Sequence, residues 1–450
     1  MDIEKQKSKD HSISHISEKI RAIVLVPIIN ENEKEEIHIR SISSRVEEAI
    51  GLTKAIHLEI VFHQSFQIST PKASTLMGSG KVEEFTSIIK ELDVQLVVVD
   101  HSLTPIQQRN LERAWDCKVI DRTALILEIF GDRANTKEGV LQVELAHLNY
   151  QKGRLVRSWT HLERQRGGSG FLGGPGETQI EADRRILQDK ITKLRRELET
   201  VVKTRHLHRA KRKKTPNPVV ALVGYTNAGK STLFNRLTGA QVLAKDMLFA
   251  TLDPTLRRVQ LPHGEIVIFS DTVGFISNLP THLVAAFRAT LEEVVEADLI
   301  LHVRDMSDHD HHVHAADVRK ILDSLGVDTS DNGHIIEVWN KCDLLDDIAK
   351  QTMLATAKSS SLPAFPVSSL TGEGIEILLN EIEKRISGQL RHLVITLYPD
   401  EFAMLDWLYN NALIEKRKNQ EDGSVELSVK MTDTARKIFQ RRIHKPNWKE

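Results

Sequence analysis

The chain has 450 residues, of which 40% are hydrophobic and 27% are charged; its 61 Lys and Arg nearly balance its 62 Asp and Glu, giving a net charge of −1. Such a composition is ordinary for a soluble globular protein, and at roughly 150 residues per domain the length predicts about three domains. The balanced charge excludes a uniformly basic nucleic-acid coat, although local basic stripes are compatible with it.

Two cysteines, Cys117 and Cys342, are too few for a disulfide framework and predict a reducing compartment. The N-terminus shows no secretory signal, and no apolar run approaches the roughly 18 residues that would span a bilayer. We therefore expect a cytoplasmic protein with no integral membrane segment, whose association with a membrane would have to be peripheral.

Residues 1–20 are polar and predict a loose N-terminal segment. Short apolar runs then predict strands at Ala22–Ile29, His57–Phe62, Gln95–Asp100 and Cys117–Asp121. The segments between them show helical patterns at Arg45–Gly51, Lys81–Leu92 and Pro105–Ala114. This alternation predicts a small α/β domain with a mostly parallel sheet over residues 21–135.

From Ala124 the pattern turns helical and runs to about Trp159, before a segment with six glycines in ten residues, Gly167–Gly176. A second long helix is predicted from Glu177. Its apolar residues are spaced 4, 3, 4, 3 at Leu187, Ile191, Leu194, Leu198 and Val201. Residues 136–214 thus predict an antiparallel helical hairpin with a Gly-rich loop and a basic linker. So few heptads favour packing within the hairpin over self-association, and we expect a monomer.

A proline-containing break at Pro216 and Pro218 predicts a domain boundary. Strands and helices alternate again over residues 215–388, which is typical of a doubly wound α/β domain. We predict its strands in VVALVG, EIVIFSD, LILHVRD, IIEVWNK and FPVSS. Residues 389–450 predict a separate small α/β domain of β-α-β-β-α order, with a hairpin turn at EDG.

The strongest local motif is GYTNAGKS, Gly224–Ser231, between an apolar strand and a helical segment. It fits the phosphate-binding pattern G-x-x-x-x-G-K-[ST], in which glycines let backbone N–H groups approach phosphate oxygens. Lys230 supplies positive charge at the β- and γ-phosphates, and the Ser231 hydroxyl can bind Mg²⁺. We therefore predict a nucleoside triphosphate site here.

Three weaker motifs follow in order, each at the end of a predicted strand. DTVG (Asp271–Gly274) offers an acid for Mg²⁺ through water and a glycine N–H for the γ-phosphate. In NKCD (Asn340–Asp343) the Asp343 carboxylate can accept from the guanine N1–H and 2-amino groups, which adenine lacks. In VSS (Val367–Ser369) the Ser369 N–H could bond the guanine carbonyl. The four motifs together predict GTP binding.

Between the first two motifs lies LFATLDPT, where Thr251 or Thr255 could complete the Mg²⁺ shell in the triphosphate state. The residues alone do not choose between the two. The residue after DTVG is Phe275, whereas many GTPases carry a glutamine there that orients the attacking water. We therefore predict slow basal hydrolysis, with a partner or another group placing the water.

Two further features leave alternatives. Asn227 in the phosphate loop could coordinate K⁺, or it could only stabilise the loop. The histidine-rich run His309–His314 has a spacing, at His311 and His314, that could suit Zn²⁺ on a helix. No cysteine cluster lies nearby, so we interpret the run as a solvated helix start with its turn capped by Asp305.

The motifs GYTNAGKSTLFNRLT and FATLDPT resemble those of the HflX family of translational GTPases. The upstream half is more specific, because GSGKVEE, VIDRTALILEIFGDRA, LQVELAHLNY, GRLVRSWTHLERQRGGSG and GPGETQIEADRR all resemble that family. The resemblance runs from about Ile23 to Arg442. It implies an N-terminal α/β HflX domain, a helical hairpin, a Ras-like P-loop GTPase domain and a small C-terminal α/β domain.

The resemblance also implies a function on the ribosome, chiefly on the large subunit and its RNA, and not on DNA. Family members are implicated in splitting stalled ribosomes, notably after heat stress, and in subunit biogenesis. The loop at Gly167–Gly176 would reach the ribosomal RNA of the peptidyl-transferase region. Arg164, Arg166, Arg184 and Arg185 could pair with its phosphates. The basic run Lys203–Lys214 could do the same, or it could be a solvated linker.

The family pattern points to Thr251 as the threonine that completes the Mg²⁺ site. Lys230, Thr251 and Gly274 are then the predicted catalytic residues, and Ser231 and Thr251 the predicted Mg²⁺ ligands. The predicted GTP/GDP site comprises Gly224, Tyr225, Thr226, Asn227, Ala228, Gly229, Lys230, Ser231, Thr232, Phe249, Ala250, Thr251, Leu252, Asp253, Asp271, Thr272, Val273, Gly274, Asn340, Lys341, Cys342, Asp343, Ser368, Ser369 and Leu370.

Other hypotheses stay open at this point. The N-terminal half could bind or remodel RNA with GTP only regulatory, and the nucleotide dependence of ribosome binding would discriminate this from a GTPase switch. A GTPase linked to RNA modification is disfavoured, because we find neither a cysteine nucleophile in a suitable motif nor a cysteine-based metal set. A second nucleotide site at GSGKVEE has little support, since no full phosphate-loop pattern surrounds it.

Overall fold

The computed structural model describes residues 20–29, 40–165, 175–212, 217–240, 248–262, 264–278, 288–331, 333–360, 362–388, 391–420, 422–442 and 448–449. These residues form three separate β-sheets and a pair of long helices. The multidomain α/β class predicted from the sequence is confirmed. In the described part of the chain, no helix is long and apolar enough to cross a membrane.

The N-terminal sheet is wholly parallel, with the strand order β2-β1-β3-β4. Side chains of β1 alternate between two apolar clusters: Ile23 and Leu25 pack with Phe85, whereas Val24 packs with Leu52. Burial on both faces explains why these strands are continuous apolar runs. The strands are β1 (Arg21–Ile29), β2 (Glu59–Ile68), β3 (Leu96–Val99) and β4 (Lys118–Asp121), and the helices are α1 (Ile42–Lys54), α2 (Ser79–Glu91), α3 (Pro105–Trp115) and α4 (Arg122–Arg133).

Two long helices follow, α5 (Lys137–Gln165) and α6 (Pro175–Arg212). The apolar stripe predicted on the second helix packs against the first, since Ile191 and Leu194 share a buried cluster with Leu141 and Leu148. Both helices extend further toward the glycine segment than predicted. Residues 166–174, which hold most of the predicted Gly-rich loop together with Arg166, lie outside the described residues, as do 213–216.

The central sheet has six strands in the order β10-β9-β8-β5-β7-β6, and only β6 is antiparallel. The sequence did not predict β6, because it is an edge strand whose Arg257 and Arg258 are exposed. The strands are β5 (Val219–Gly224), β6 (Thr255–Gln260), β7 (Ile266–Asp271), β8 (Leu299–Asp305), β9 (Ile335–Asn340) and β10 (Ala364–Pro366). The helices are α7 (Lys230–Thr238), α8 (Arg288–Val295), α9 (His311–Ser324), α10 (Asp347–Ser359) and α11 (Ile375–Ser387).

The chain order reverses at β5, which lies between β7 and β8. Ligands of open α/β sheets bind beyond the carboxyl ends of the strands at such a switch point. The GYTNAGKS loop begins at the carboxyl end of β5, and the DTVG and NKCD motifs begin at the ends of β7 and β9. The fold therefore brings the predicted nucleotide motifs to one edge.

The C-terminal sheet is antiparallel, with the order β12-β13-β11-β14. Alternate residues of β13 are buried against a small apolar core that includes Leu408 and Phe439. The predicted β-α-β-β-α order is observed, followed by a two-residue strand that was not predicted. The elements are β11 (Arg391–Leu397), α12 (Ala403–Asn411), β12 (Leu413–Asn419), β13 (Val425–Met431), α13 (Asp433–Arg442) and β14 (Trp448–Lys449).

Candidate nucleotide site

The phosphate loop depends on two glycines that no other residue could replace. A Cβ on Gly224 would lie 2.2 Å from the carbonyl oxygen of Val303, and one on Gly229 would lie 2.2 Å from Asn340 Nδ2. Asn227 and Gly229 both have positive φ, at 61° and 88°. This backbone turns directly into α7, whose first N–H groups are available to an anion.

Lys230 and Gly274 lie together in this cleft. The Lys230 ammonium is buried and donates to the backbone oxygen of Tyr225 at 2.7 Å. Burial lowers the pKa of Lys230 to about 8, against the opposing charge of Asp271. A Cβ on Gly274 would lie 3.0 Å from Lys230 Nζ and 2.8 Å from Thr226 Cγ2, so the DTVG turn closely overlies the loop.

Three oxygens converge beside Lys230. Ser231 Oγ and Thr251 Oγ1 each lie within hydrogen-bond distance of Asp271 Oδ2, at 2.7 and 2.9 Å, and lie 3.0 Å from each other. Each hydroxyl has one hydrogen, so if both donate to Asp271, their lone pairs face each other. Octahedral Mg²⁺ at 2.0–2.1 Å places neighbouring ligands about 2.9 Å apart, which matches this separation.

The remaining oxygen of Asp271 also suits a metal site. Asp271 Oδ1 is buried and has no hydrogen-bond partner of good geometry among the described residues. Burial raises the pKa of this carboxyl, while hydrogen bonds from Ser231 and the charge of Lys230 oppose the rise. The oxygen set fits Mg²⁺ held directly by two hydroxyls and through water by the carboxylate.

The structure distinguishes the two candidate threonines. The hydroxyl of Thr251 reaches Ser231 and Asp271. Thr255 instead begins the edge strand β6, where its backbone pairs opposite Asp271 in the ladder. Of the two, Thr251 is the one that the fold brings to the predicted metal ligands.

On the side of the site where the base is predicted to bind, hydrogen bonds of Asn340 connect three of the motifs. Its Nδ2 donates to Ala228 O at 2.9 Å, and its Oδ1 accepts from the Ser369 N–H at 3.0 Å and from the Ser369 hydroxyl at 2.8 Å. Lys341 forms an ion pair with Asp305 at 2.7 Å, which anchors its stem beside the site. Asp343 follows in a 3₁₀ turn with its side chain exposed, as a residue that accepts from a base must be.

Ser369, whose N–H is predicted to bond the guanine carbonyl, already has an acceptor for that N–H in the protein. Its N–H donates to Asn340, so a guanine carbonyl would have to share or replace that acceptor. Two further hydrogen bonds stabilise the loop that holds Ser369. Arg236 Nε donates to Ser369 O, and the Ser368 hydroxyl accepts from the Thr371 N–H. Cys342 is buried with its Sγ 3.8 Å from Glu373 Oε2, and burial raises the pKa of its thiol to about 11.

Phe275 is built into the core. Its side chain is 1% exposed and lies in the apolar cluster with Val273 and Ile276. Its backbone bridges the phosphate loop, with Phe275 N–H donating to Gly224 O at 3.1 Å and Thr226 N–H donating to Phe275 O at 2.7 Å. The side chain cannot orient an attacking water, in agreement with the sequence analysis.

Comparison with known proteins decides the family. Four family models match: "GTP-binding GTPase N-terminal" over residues 43–131, "GTP-binding GTPase Middle Region" over 133–212, "50S ribosome-binding GTPase" over 219–341 and "HflX C-terminal domain" over 353–449. A relative from Magnetococcus marinus named GTPase HflX is 48% identical over 377 residues, covering 84% of this chain and 86% of the relative. The chain belongs to the HflX family of GTPases.

A second HflX relative, from Escherichia coli, is 46% identical and covers 80% of this chain and 83% of its own length. A solved structure of a GTP-binding protein from Sulfolobus solfataricus in complex with GDP is 22% identical, with a TM-score of 0.44, and covers 81% of this chain and 98% of that chain. Membership of the HflX family makes the protein a GTP-binding enzyme that hydrolyses GTP.

A buried polar network, which was not predicted from the sequence, joins the N-terminal domain to this HflX nucleotide site. The Tyr225 hydroxyl donates to Glu48 of α1 and accepts from the Ser277 N–H at 2.8 Å. Arg122 pairs with both Glu48 and Asp100 at 2.5 Å and donates to Ser277 O at 2.9 Å. An aromatic residue inside a phosphate loop is the one signal that could have indicated such a contact.

The prediction of a solvated helix start for the histidine run is only partly correct, because His309 and His312 are exposed whereas His314 is buried. The run begins α9 at His311, and the His314 ring stacks on Tyr225, with centroids 3.8 Å apart. Asp305 closes the preceding turn by accepting from Ser307 N–H, as expected of a cap. No set of three His, Cys, Asp or Glu side chains that could hold a metal occurs within the described ranges.

The GSGKVEE segment does not form a phosphate loop in this HflX chain. It is the start of α2, with Gly78 at the N-cap. Lys81 pairs with Glu84 one turn later on the helix surface, at 2.8 Å. The segment is thus a helix start that no strand directly precedes, unlike the strand–loop–helix context of a phosphate loop.

Proposed function

We propose that this protein is a ribosome-associated GTPase switch that acts on the large subunit. In this proposal it splits or rescues stalled ribosomes, or aids subunit biogenesis, especially under stress. The family resemblance supports it, as does the match to a family described as a 50S ribosome-binding GTPase. Ribosome binding and cytoplasmic location are part of the same proposal.

The observation that carries the proposal is the buried Phe275. A GTPase whose residue after DTVG lies in the core has no side chain at that position to align water. Its basal rate should be slow until a partner completes the site. A large ribonucleoprotein that both orders the site and supplies the missing group fits this requirement.

The chain's own residues then have defined roles. Lys230 neutralises charge on the β- and γ-phosphates, and the Gly274 N–H senses the γ-phosphate from the overlying turn. Mg²⁺ held by Ser231 and Thr251 would supply charge neutralisation on the phosphates when bound. Asn227 is exposed in the phosphate loop and has a positive φ. Its side chain could bind a K⁺ ion, or it could only stabilise the turn.

The hairpin supplies the RNA-facing surface in this proposal. Arg184 and Arg185 are exposed on α6 near the end that leads from the glycine segment, and can pair with phosphates. The loop Gly167–Gly176 and the side chain of Arg164 lie outside what the structure describes, apart from the backbone of 175–176. Their contact with ribosomal RNA rests on the family resemblance, and so does that of the run Lys203–Lys214.

The test is GTP hydrolysis by the purified protein with and without large ribosomal subunits, in K⁺ and in Na⁺ buffer. We expect slow basal turnover that large subunits raise at least about tenfold, equivalent to a barrier lower by about 1.4 kcal/mol. Small subunits at the same concentration provide the control. A rate that no ribosomal particle changes contradicts the proposal, and equal rates in K⁺ and Na⁺ contradict a K⁺ role for Asn227.

A sedimentation assay separates this switch from an RNA-binding module in which GTP is only regulatory. The switch predicts that a non-hydrolysable GTP analogue strengthens binding to large subunits relative to GDP, because the triphosphate orders the segment around Thr251. Near-equal binding in the two nucleotide states favours the RNA-binding module.

A further inference from the structure

The segment that carries Thr251 also packs against three helices of the N-terminal half. We call residues 248–253 the Thr251 segment. Leu248 lies against α1, where a Cβ on Gly51 would come within 3.0 Å of Leu248 Cδ1. The ring of Phe249 meets that of Phe130 of α4 edge to face, with centroids 4.7 Å apart. The nucleotide site and the N-terminal half therefore share this surface.

Asp253, the last residue of the Thr251 segment, makes the most specific of these contacts. Its Oδ2 accepts from the N–H groups of Asn135 and Thr136 at 3.0 and 2.8 Å, and its Oδ1 accepts from the Thr136 hydroxyl at 2.6 Å. These donors directly precede α5, which begins at Lys137. A carboxylate at a helix N-terminus meets both unpaired N–H groups and the positive end of the helix dipole.

We propose that Asp253 is a positioning residue for GTP hydrolysis, which couples Thr251 to the N-terminus of the hairpin helix α5. Two residues span at most about 7 Å, so Thr251 and Asp253 cannot move far independently. Holding Asp253 at α5 holds the Thr251 hydroxyl at Ser231 and Asp271. Release of Thr251 would conversely pull on the start of α5. This coupling extends beyond the proposed ribosome function and does not depend on it.

The length of α5 sets the distance over which this coupling can extend. Its 29 residues extend about 43 Å at 1.5 Å per residue, from Asp253 to the end next to the glycine segment. A partner that holds the far end of the hairpin would therefore act on the same helix that Asp253 caps. The coupling acts in both directions. If the ordered Thr251 segment favours one position of α5, then a partner that holds α5 in that position favours the ordered Thr251 segment.

Thr136 offers a matched set of variants. Its hydroxyl accepts from the Gly139 N–H at 3.0 Å, as an N-cap, while donating to Asp253. Thr136→Ser keeps both bonds. Thr136→Asp keeps a cap acceptor but sets a carboxylate against Asp253, so its effect does not come from a lost cap. Adding Asp253→Asn to Thr136→Asp provides an amide donor and should restore the contact.

The experiment measures the affinity of fluorescent GDP and of a fluorescent non-hydrolysable GTP analogue, with Mg²⁺ and without ribosomes. For Thr136→Asp we expect analogue affinity to fall at least about tenfold with GDP affinity within about twofold, because Thr251 contributes only in the triphosphate state. Thr136→Ser should match the unaltered chain, and the double variant should recover. Equal losses of both nucleotides, or no loss, overturn the proposal.

Amide hydrogen exchange of the unaltered chain provides a second measurement that needs no variant to fold. The N–H groups of Asn135 and Thr136 should exchange more slowly with the GTP analogue than with GDP, since Asp253 accepts from both. Equal protection of residues 134–137 in the two nucleotide states overturns the coupling, even if ribosomes stimulate hydrolysis. Failure of ribosome stimulation leaves this result unaffected.

Discussion

Replacing Thr251 by Val, beside the matched change Thr255→Val, tests which hydroxyl belongs to the metal site. Valine keeps the β-branched shape of threonine and removes only the hydroxyl. Thr251 is buried and its hydroxyl lies 2.9 Å from Asp271 Oδ2 and 3.0 Å from Ser231 Oγ. Thr255 instead contributes its backbone to the β6–β7 ladder.

The expected size follows from that geometry. A hydrogen bond to a charged group is worth about 1.5–3 kcal/mol, which corresponds to roughly 10- to 150-fold in affinity. In the triphosphate state the same oxygen would bind Mg²⁺, so Thr251→Val should weaken the GTP analogue by about this factor. GDP affinity should change little, because switch segments of GTPases are ordered by the γ-phosphate and Mg²⁺ and released on hydrolysis. Thr255→Val should change either affinity less than about twofold.

The assay is a titration of fluorescent GDP and GTP analogue at several Mg²⁺ concentrations, followed by single-turnover hydrolysis. For Thr251→Val the analogue should need more Mg²⁺ and hydrolysis should slow by at least the affinity factor. Circular dichroism and thermal unfolding check that both variants fold. A larger loss for Thr255→Val, or a Thr251→Val variant that weakens GDP binding as much as analogue binding, would exclude Thr251 as the Mg²⁺ ligand of the triphosphate state.

Three other changes have distinct expected outcomes. Asp343→Asn should lower the affinity for GTP and raise the affinity for xanthosine triphosphate, because an amide can pair with the xanthine carbonyl. Competition binding measures both affinities. A variant that keeps full GTP affinity and still rejects xanthosine triphosphate would contradict a contact between Asp343 and guanine. Phe275→Gln should lower the melting temperature, since it buries an amide in an apolar cluster at a cost of about 1–3 kcal/mol. It should not raise the basal rate of GTP hydrolysis. Faster hydrolysis would show that the side chain at this position reaches the cleft. Burial alone would raise the pKa of Glu48, but Arg122 and Arg40 hold it at about 2. Its folded-state pKa lies below that of the unfolded chain, so its stabilisation is complete above about pH 4.5 and is lost as pH falls toward 2. Melting temperatures between pH 6 and 3 should fall less steeply for Glu48→Gln, and parallel curves would exclude this role.

The parts of the molecule that the sequence predicted are those set by local chemistry. Eight consecutive residues dictate the phosphate loop, since positive φ at Asn227 and Gly229 and the adjoining helix follow from GYTNAGKS itself. Continuous apolar runs likewise predict buried parallel strands. The edge strand β6 was missed because its exposed arginines give it neither an apolar run nor a clean alternation.

The parts that could not be predicted lie where domains meet. Glu48 and Tyr225 are 177 residues apart in the sequence. The pattern of apolar residues in the sequence does not indicate that their side chains form a hydrogen bond. The stack of His314 on Tyr225 has the same origin. A histidine at the start of a helix is polar by composition and becomes buried only because the phosphate loop and α1 cover it. Such contacts depend on how whole domains pack and not on the spacing within either one.

This distinction affects how variants in the nucleotide motifs should be interpreted. Tyr225 and Asp253 lie inside segments that are predicted to bind the nucleotide, yet their side chains contact Glu48 and the residues that precede α5. A loss of hydrolysis after changing either residue would resemble a binding defect if only activity were measured. GDP affinity separates the two causes, because a damaged phosphate loop loses both nucleotides, whereas a broken domain contact should lose the triphosphate preference alone.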